Sequence, residues 1–294
     1  MKREKMGLID KQNDGSELIN YDDPGFPTYI YNGWIAPKVT WANVPHYHED
    51  IEILTVTEGR MYYNVNGKDL LLLKGDTIVV NSNFIHYSKC YEDEVAKYVI
   101  FIANPSILSN SPIVETNAIR PITDNPEIDY FRFRSINENT EAIRDLVLGL
   151  PEIRHDAFAI TKQFYQIWDI LRKQADAYGI NTKEQVSDSR MQSFKTMMSF
   201  VSANYRSKLT LDDIALSGNV SKSLCNKLFH LYVGESPISY LLHIRSRKVS
   251  ELLRSGNLSM TDIAEKTGFS GVSYMSETFR KFYGKSPREY KKEL

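Results

Sequence analysis

Gly234-Glu-Ser236-Pro237-Ile-Ser-Tyr240 returns 50 residues later as Gly284-Lys-Ser286-Pro287-Arg-Glu-Tyr290. Upstream of it, Thr210-Leu-Asp-Asp213-Ile214-Ala215 returns after 49 residues as Ser259-Met-Thr-Asp262-Ile263-Ala264. Each repeated residue has a local physical reason. Thr210 and Ser259 can cap a helix, and Asp213 and Asp262, three residues on, complete a capping box. Gly234 and Gly284 suit the left-handed end of a helix. Ser-Pro then opens the next helix, because proline at the first helical position forfeits no hydrogen bond.

Between these markers the sequence predicts a helix, a short turn and a second helix. Ala215 and Ala264 place a small side chain where two helices must approach closely. Val220-Ser221 and Phe269-Ser270 each offer an apolar anchor followed by a cap. Leu228-Phe229 and Thr278-Phe279 would bury the second helix's inner face, and Pro237 to Leu253 reads as one connecting helix. The unit is a helix-turn-helix, present twice. Such a recognition helix fits the major groove of B-DNA, and two on a rigid connector could enter successive grooves about 34 Å apart.

The charge distribution points the same way. From Ser187 onward there are 17 Lys and Arg against 10 Asp and Glu, a net of +7, out of totals of 36 and 37. The remaining 19 and 27 give the front of the chain a net of −8. A basic tail on an acidic body suits a polyanionic partner. A length of 294 residues favours two domains, and 42% hydrophobic with 25% charged residues excludes a disordered, collagen-like or coiled-coil chain. No apolar run approaches the roughly 18 residues of a membrane span, and Met1 to Gly15 lacks the apolar stretch of a signal peptide. Cys90 and Cys225 stand far apart, in no metal-clamp spacing. These features predict a cytoplasmic protein without membrane contact.

The front of the chain has a different texture. From about Thr28 to Ala103, apolar residues alternate (Ile51, Ile53; Met61, Tyr63, Val65), and Asn66-Gly67 separates two such runs. That pair tolerates positive φ at both centres of a tight hairpin. Repeated short strands without a long helix predict an antiparallel sandwich or barrel. After a Pro- and Asn-rich stretch from Asn104 to Pro126, a stripe of Ile160, Phe164, Ile167, Trp168, Leu171, Ala175 and Tyr178 predicts one long helix. It either packs on the sheet, forms a dimer seam, or does both. Gly179 to Ser189 is polar and without period, as a linker would be.

Residues 190–293 resemble the DNA-binding domain of the AraC/XylS family of bacterial transcription regulators, most specifically over Gly268 to Tyr290. The resemblance implies that the DNA-facing residues are Lys222, Ser223, Asn226 and Lys227 in the first unit. In the second they would be Gly271, Val272, Ser273, Ser276 and Glu277. Glu277 departs from the family, which commonly places a basic residue there. Arg280 and Lys281, with Arg245, Arg247 and Arg254 of the connecting helix, are expected at phosphates rather than base edges.

His46-Tyr-His48-Glu-Asp-Ile-Glu52, with Gly59 seven residues on and later Gly75-Asp76 and His86, resembles the two motifs of the cupin barrel. Metal-binding cupins hold a divalent transition metal with three His and one Glu. The second motif departs, with Asn81 and Asn83 in place of Pro and Gly and Cys90 in place of Asn. Beside this DNA-binding tail, the resemblance implies a sensory cupin in which Tyr31, Trp34, His46, His48, Glu52 and His86 meet a small effector. No metal, cofactor or catalytic residue is expected there. The aromatics Tyr29, Tyr31, Trp34 and Trp41 suit either a carbohydrate-stacking surface or ordinary packing.

The expected fold is therefore α+β in two domains. Residues 1–135 form a cupin-like antiparallel β-barrel that binds an effector, and 136–186 a helical dimerisation segment and linker. Residues 187–294 form an all-α domain with two helix-turn-helix units joined by a long helix. The expected function is a ligand-responsive regulator, a homodimer that binds double-stranded promoter DNA, senses a sugar or sugar derivative and activates carbohydrate-utilisation genes through RNA polymerase. The alternative is a metal-dependent cupin enzyme fused to a DNA-binding tail.

Overall fold

The computed structural model describes residues 16–37, 44–137, 140–177, 189–256 and 258–292. Trp41, Tyr178 and most of the polar stretch 179–189 lie outside them. The chain divides into two compact units, one holding 17–37 and 42–187, the other built on 188–294.

Among its described residues, the first unit carries eight strands in two antiparallel sheets. β1 (Thr28–Ile35), β2 (Ile51–Glu58), β5 (Thr77–Val80), β7 (Ala96–Ala103) and β8 (Tyr130–Phe133) make a five-stranded sheet in the order β1-β7-β2-β5-β8. β3 (Arg60–Val65), β4 (Lys68–Leu73) and β6 (His86–Cys90) make a three-stranded sheet in the order β4-β3-β6. The sheets remain separate rather than closing into the expected cylinder. Outside the named strands, an isolated backbone bridge joins His46 to His86. The Asn66-Gly67 hairpin forms as expected, with φ of 50° and 81°.

Strand alternation gives the five-stranded sheet two faces with different tasks. Ile30, Ile51, Ile53, Val99 and Phe101 belong to a hydrophobic core with the helices α1 (Glu141–Gly149) and α2 (Ala157–Ala177). Phe101 meets Phe164 edge-on at 5.3 Å, and the Trp168 indole donates to the Ala118 carbonyl at 2.8 Å. The helical stripe of Ile160, Phe164, Ile167, Trp168 and Leu171 is thus consumed by the sheet, and does not form an exposed seam. Burying each of these large side chains contributes about 1.5–3 kcal/mol.

The cupin-motif departures acquire physical reasons. The Asn81 amide donates to the carbonyls of Ile122 and Ile128, at 2.7 and 2.9 Å, and anchors the loop leading to β8. Asn83 adopts φ 66°, a left-handed conformation that asparagine tolerates better than most residues.

The second unit is helical throughout its described length: α3 (Ser189–Asn204), α4 (Leu211–Ser217), α5 (Lys222–Val233), α6 (Pro237–Ser255), α7 (Met260–Lys266), α8 (Val272–Tyr283) and α9 (Pro287–Lys292). Both foreseen capping boxes form, Thr210 with Asp213 and Ser259 with Asp262. Ser286 and Glu289 make a third such reciprocal pair ahead of α9. Gly234 and Gly284 end α5 and α8, each with φ 72°. Around α8, Ile263, Ala264, Met275, Phe279, Tyr283 and Tyr290 close one core with Val249 and Leu253 of α6.

Candidate nucleic-acid interface and effector site

The outward faces of α5 and α8 carry the expected DNA-facing residues. Lys222, Ser223 and Lys227 are exposed and Asn226 half-buried, while Cys225, Leu228 and Phe229 point into the core. The pattern recurs in α8: Ser273 and Glu277 are exposed, Gly271, Val272 and Ser276 half-buried, and Met275, Thr278 and Phe279 buried. Lys222 pairs with Asp212 of α4 at 2.7 Å, and the Asn226 amide donates to the Lys222 carbonyl at 3.2 Å. Arg280 and Lys281 are exposed, Arg280 standing 3.6 Å from Glu289. Arg254 is exposed and donates to the Tyr290 hydroxyl at 3.0 Å.

Arg245 is a correction. It is only 7% exposed, and it donates from Nε to the Tyr205 carbonyl at 2.7 Å and from Nη2 to Ser207 at 2.8 Å. Its guanidinium holds the turn after α3 and is withdrawn from any phosphate. Tyr274, which is not among the expected contacts, is 44% exposed in the first turn of α8. Its place next to Met275 hides it among apolar residues in the sequence.

In the first unit, His46, His48, Glu52 and His86 converge, and one ligand atom from each lies within 4.8 Å of all the others. β2 alternation points Glu52 between the sheets, where the Tyr63 hydroxyl of β3 donates to its carboxylate. The imidazole orientations are set by the main chain. Nδ1 of His46 lies 2.9 Å from the Val44 carbonyl, Nδ1 of His48 3.0 Å from Asp50, and Nδ1 of His86 2.8 Å from Phe84. A carbonyl can only accept, so each Nδ1 carries the proton and each Nε2 presents its other valence to the cluster. Nε2 of His48 and of His86 both stand 3.4 Å from Oε2 of Glu52.

Burial alone would raise the Glu52 carboxyl, but the His86 and His48 imidazoles outweigh it and hold it well below its ordinary range. For His48, burial is likewise outweighed, by the hydrogen bond and charge of Glu52, and its basicity rises. Burial, reinforced by His86, pushes His46 well down. Locked Nε2 atoms around a buried carboxylate match the donor set, and the outer-shell support, of a divalent transition-metal site.

The expected aromatic surface divides. Tyr31 stacks near Tyr29, at 6.1 Å, on the face of β1 that also carries Gly33. A Cβ on Gly33 would overlap the Tyr98 ring. Burial, with the charge of Glu52 and the hydroxyls of Tyr31 and Tyr29, pushes the Tyr98 phenol upward. Trp34 lies three residues from Tyr31, so alternation turns it to the opposite face, and it does not join them. Tyr63 and Tyr98 were not among the expected site residues; period-two counting from Met61 reaches Tyr63, whereas Tyr98 shares its face of β7 with Ala96, Ile100 and Ile102.

A duplicated groove-sized helix-turn-helix in one unit and a buried polar cluster in the other define a DNA-binding transcription regulator with a ligand-binding domain. A helix-turn-helix domain family matches residues 214–293, and a cupin domain family matches 35–102. The relatives it resembles are AraC-family regulators. It is 22% identical over 281 residues to the HTH-type transcriptional regulator YdeC of Bacillus subtilis, spanning 94% of this chain and 95% of that one. It is 23% identical to the lactose operon transcription activator of Staphylococcus xylosus, over 80% and 81% of the two chains. A solved structure of ToxT from Vibrio cholerae aligns with TM-score 0.46 and 17% identity, covering 92% of this chain and 98% of that one. These relatives are regulators by name, not enzymes. Among the described residues no helix is long and apolar enough to cross a membrane.

Proposed function

We propose that the chain is an effector-responsive transcription activator that works in the cytoplasm as a homodimer on promoter DNA and contacts RNA polymerase. The observation that carries this reading is the paired recognition helices, whose polar faces are outward at equivalent positions. Lys222, Ser223, Asn226 and Lys227 read the first half-site; Gly271, Val272, Ser273, Ser276 and Glu277 line the second. Arg254, Arg280 and Lys281 meet phosphates. Because the α2 stripe is buried, a dimer contact on the helical layer falls to outward residues such as Phe158, 83% exposed in the first turn of α2.

The effector is a small polar molecule that lodges at Tyr31, His46, His48, Glu52 and His86. A sugar suits the Tyr29, Tyr31 and Tyr98 rings, and a relative's name points to a lactose operon. The locked Nε2 atoms favour a second reading, in which a divalent transition metal is held by His46, His48, His86 and Glu52 as part of the effector site. Such an ion would supply a Lewis-acidic anchor for the oxygens of an effector. Effector binding regulates only if it discriminates between two arrangements of the chain.

Two measurements on the full chain test this. Affinity for duplex DNA should fall steeply as salt rises; salt-independent or absent binding overturns the regulator. A thermal-shift screen of sugars, organic acids and divalent metals should raise the melting temperature for the true effector class. Stabilisation by metals alone favours the second reading.

A further inference from the structure

α5 and α8 are one helix built twice, and they differ in the charge of their outward residues. Both are 12 residues long, and both close on a left-handed glycine whose amide returns to the carbonyl of His230 or Arg280. The 50-residue register lays Cys225 on Met275, Leu228 on Thr278 and Phe229 on Phe279, all buried. The same register lays exposed Lys227 on exposed Glu277, Lys222 on Val272, and Asn226 on Ser276. The first reading face therefore carries two cations where the second carries a lone carboxylate.

A carboxylate between two phosphate walls is repelled unless a donor meets it. The base edges of the major groove offer amino donors on cytosine and adenine. Adenine flanks its amino group with the N7 acceptor, which repels an anion, so cytosine is the better partner. Among the described residues, no cation lies within ion-pair distance of Glu277: Arg280, one turn on, turns to Glu289, and Lys281 makes no pair with it.

We propose that Glu277 is the specificity-determining residue of the second unit, accepting a hydrogen bond from a cytosine amino group and making that half-site depend on a C·G pair. The inference rests on the reading that α5 and α8 enter successive major grooves. Lys227 at the equivalent place meets guanine or phosphate, so the two half-sites differ in base content and in salt response.

The test is selection from a randomised duplex pool by the full-length protein and by Glu277→Ala and Glu277→Gln. Binding to one fixed, non-cognate duplex is followed across salt. The wild type should enrich an invariant C·G pair in one half-site. Glu277→Ala should lose about tenfold or more discrimination at that pair alone, and Glu277→Gln should move it toward adenine. Both variants should bind the non-cognate duplex several-fold more tightly, because a repulsive charge has gone. If both variants enrich the wild-type motif unchanged at every position, Glu277 is only a surface charge and the proposal falls. If the wild type enriches no motif and Lys222→Ala/Asn226→Ala binds DNA as well as it does, the groove-reading assignment fails first and takes this inference with it.

Discussion

The Arg245 guanidinium donates to the Tyr205 carbonyl at 2.7 Å and, through its second arm, to Ser207, so a cation on the connecting helix holds the turn leading out of α3. Removing one partner of a buried charge-assisted pair leaves the carbonyls unsatisfied. Arg245→Ala should cost about 2–4 kcal/mol in chemical denaturation of the full chain. Arg280→Ala should leave stability nearly unchanged and flatten the salt dependence of DNA binding by about one unit of slope. Equal stability losses in the two variants would reverse these assignments.

Lys222→Ala with Asn226→Ala should weaken duplex binding at least tenfold while leaving thermal shifts by the effector intact. Undiminished DNA binding would show that α5 presents another face to the groove.

Phe164 sits at the centre of the sheet–helix core, edge-on to both Phe101 and Trp168. Phe164→Ala should destabilise the protein by about 3–5 kcal/mol through the cavity it leaves. Sedimentation should show an unchanged oligomeric state; dissociation without loss of stability would mean that the stripe is a seam after all.

If the effector site takes a metal, binding of added divalent transition metals should be stoichiometric by calorimetry and abolished in His48→Ala and His86→Ala. Full effector binding by metal-free protein in the presence of a chelator would leave the imidazoles a purely organic role.

The capping aspartates give an acid limit with a defined sign. The hydrogen bonds from Thr210 and Ser259 lower the carboxyls of Asp213 and Asp262 from the ordinary value of 3.8. Their contribution is present above that value and disappears as pH falls through the lowered one. Helicity of Asp213→Asn/Asp262→Asn should therefore respond less to acidification below about pH 4 than that of the wild type, as read by circular dichroism.

The helix-turn-helix repeat was legible because each boundary is enforced by a local rule: capping pairs, left-handed glycines and Ser-Pro starts depend on neighbours only a few residues away. The His-Glu cluster was legible in membership through its likeness to the cupin motifs, with parity relating His46, His48 and Glu52 and the resemblance alone supplying His86. What escaped depends on distant partners. Nothing near Arg245 signals that its donors meet carbonyls some forty residues upstream. The Asn81 anchor likewise reaches across to Ile122 and Ile128. Whether the sheets close into a cylinder is decided by edges that no local pattern encodes.

The buried register shared by α5 and α8 separates packing duty from address. Inward positions are committed to the core, so they resist change, whereas the exposed ones make at most surface ion pairs, as Lys222 does with Asp212. If the two helices read DNA as proposed, either can acquire a new target sequence by altering a few surface side chains, while its twin keeps the old one.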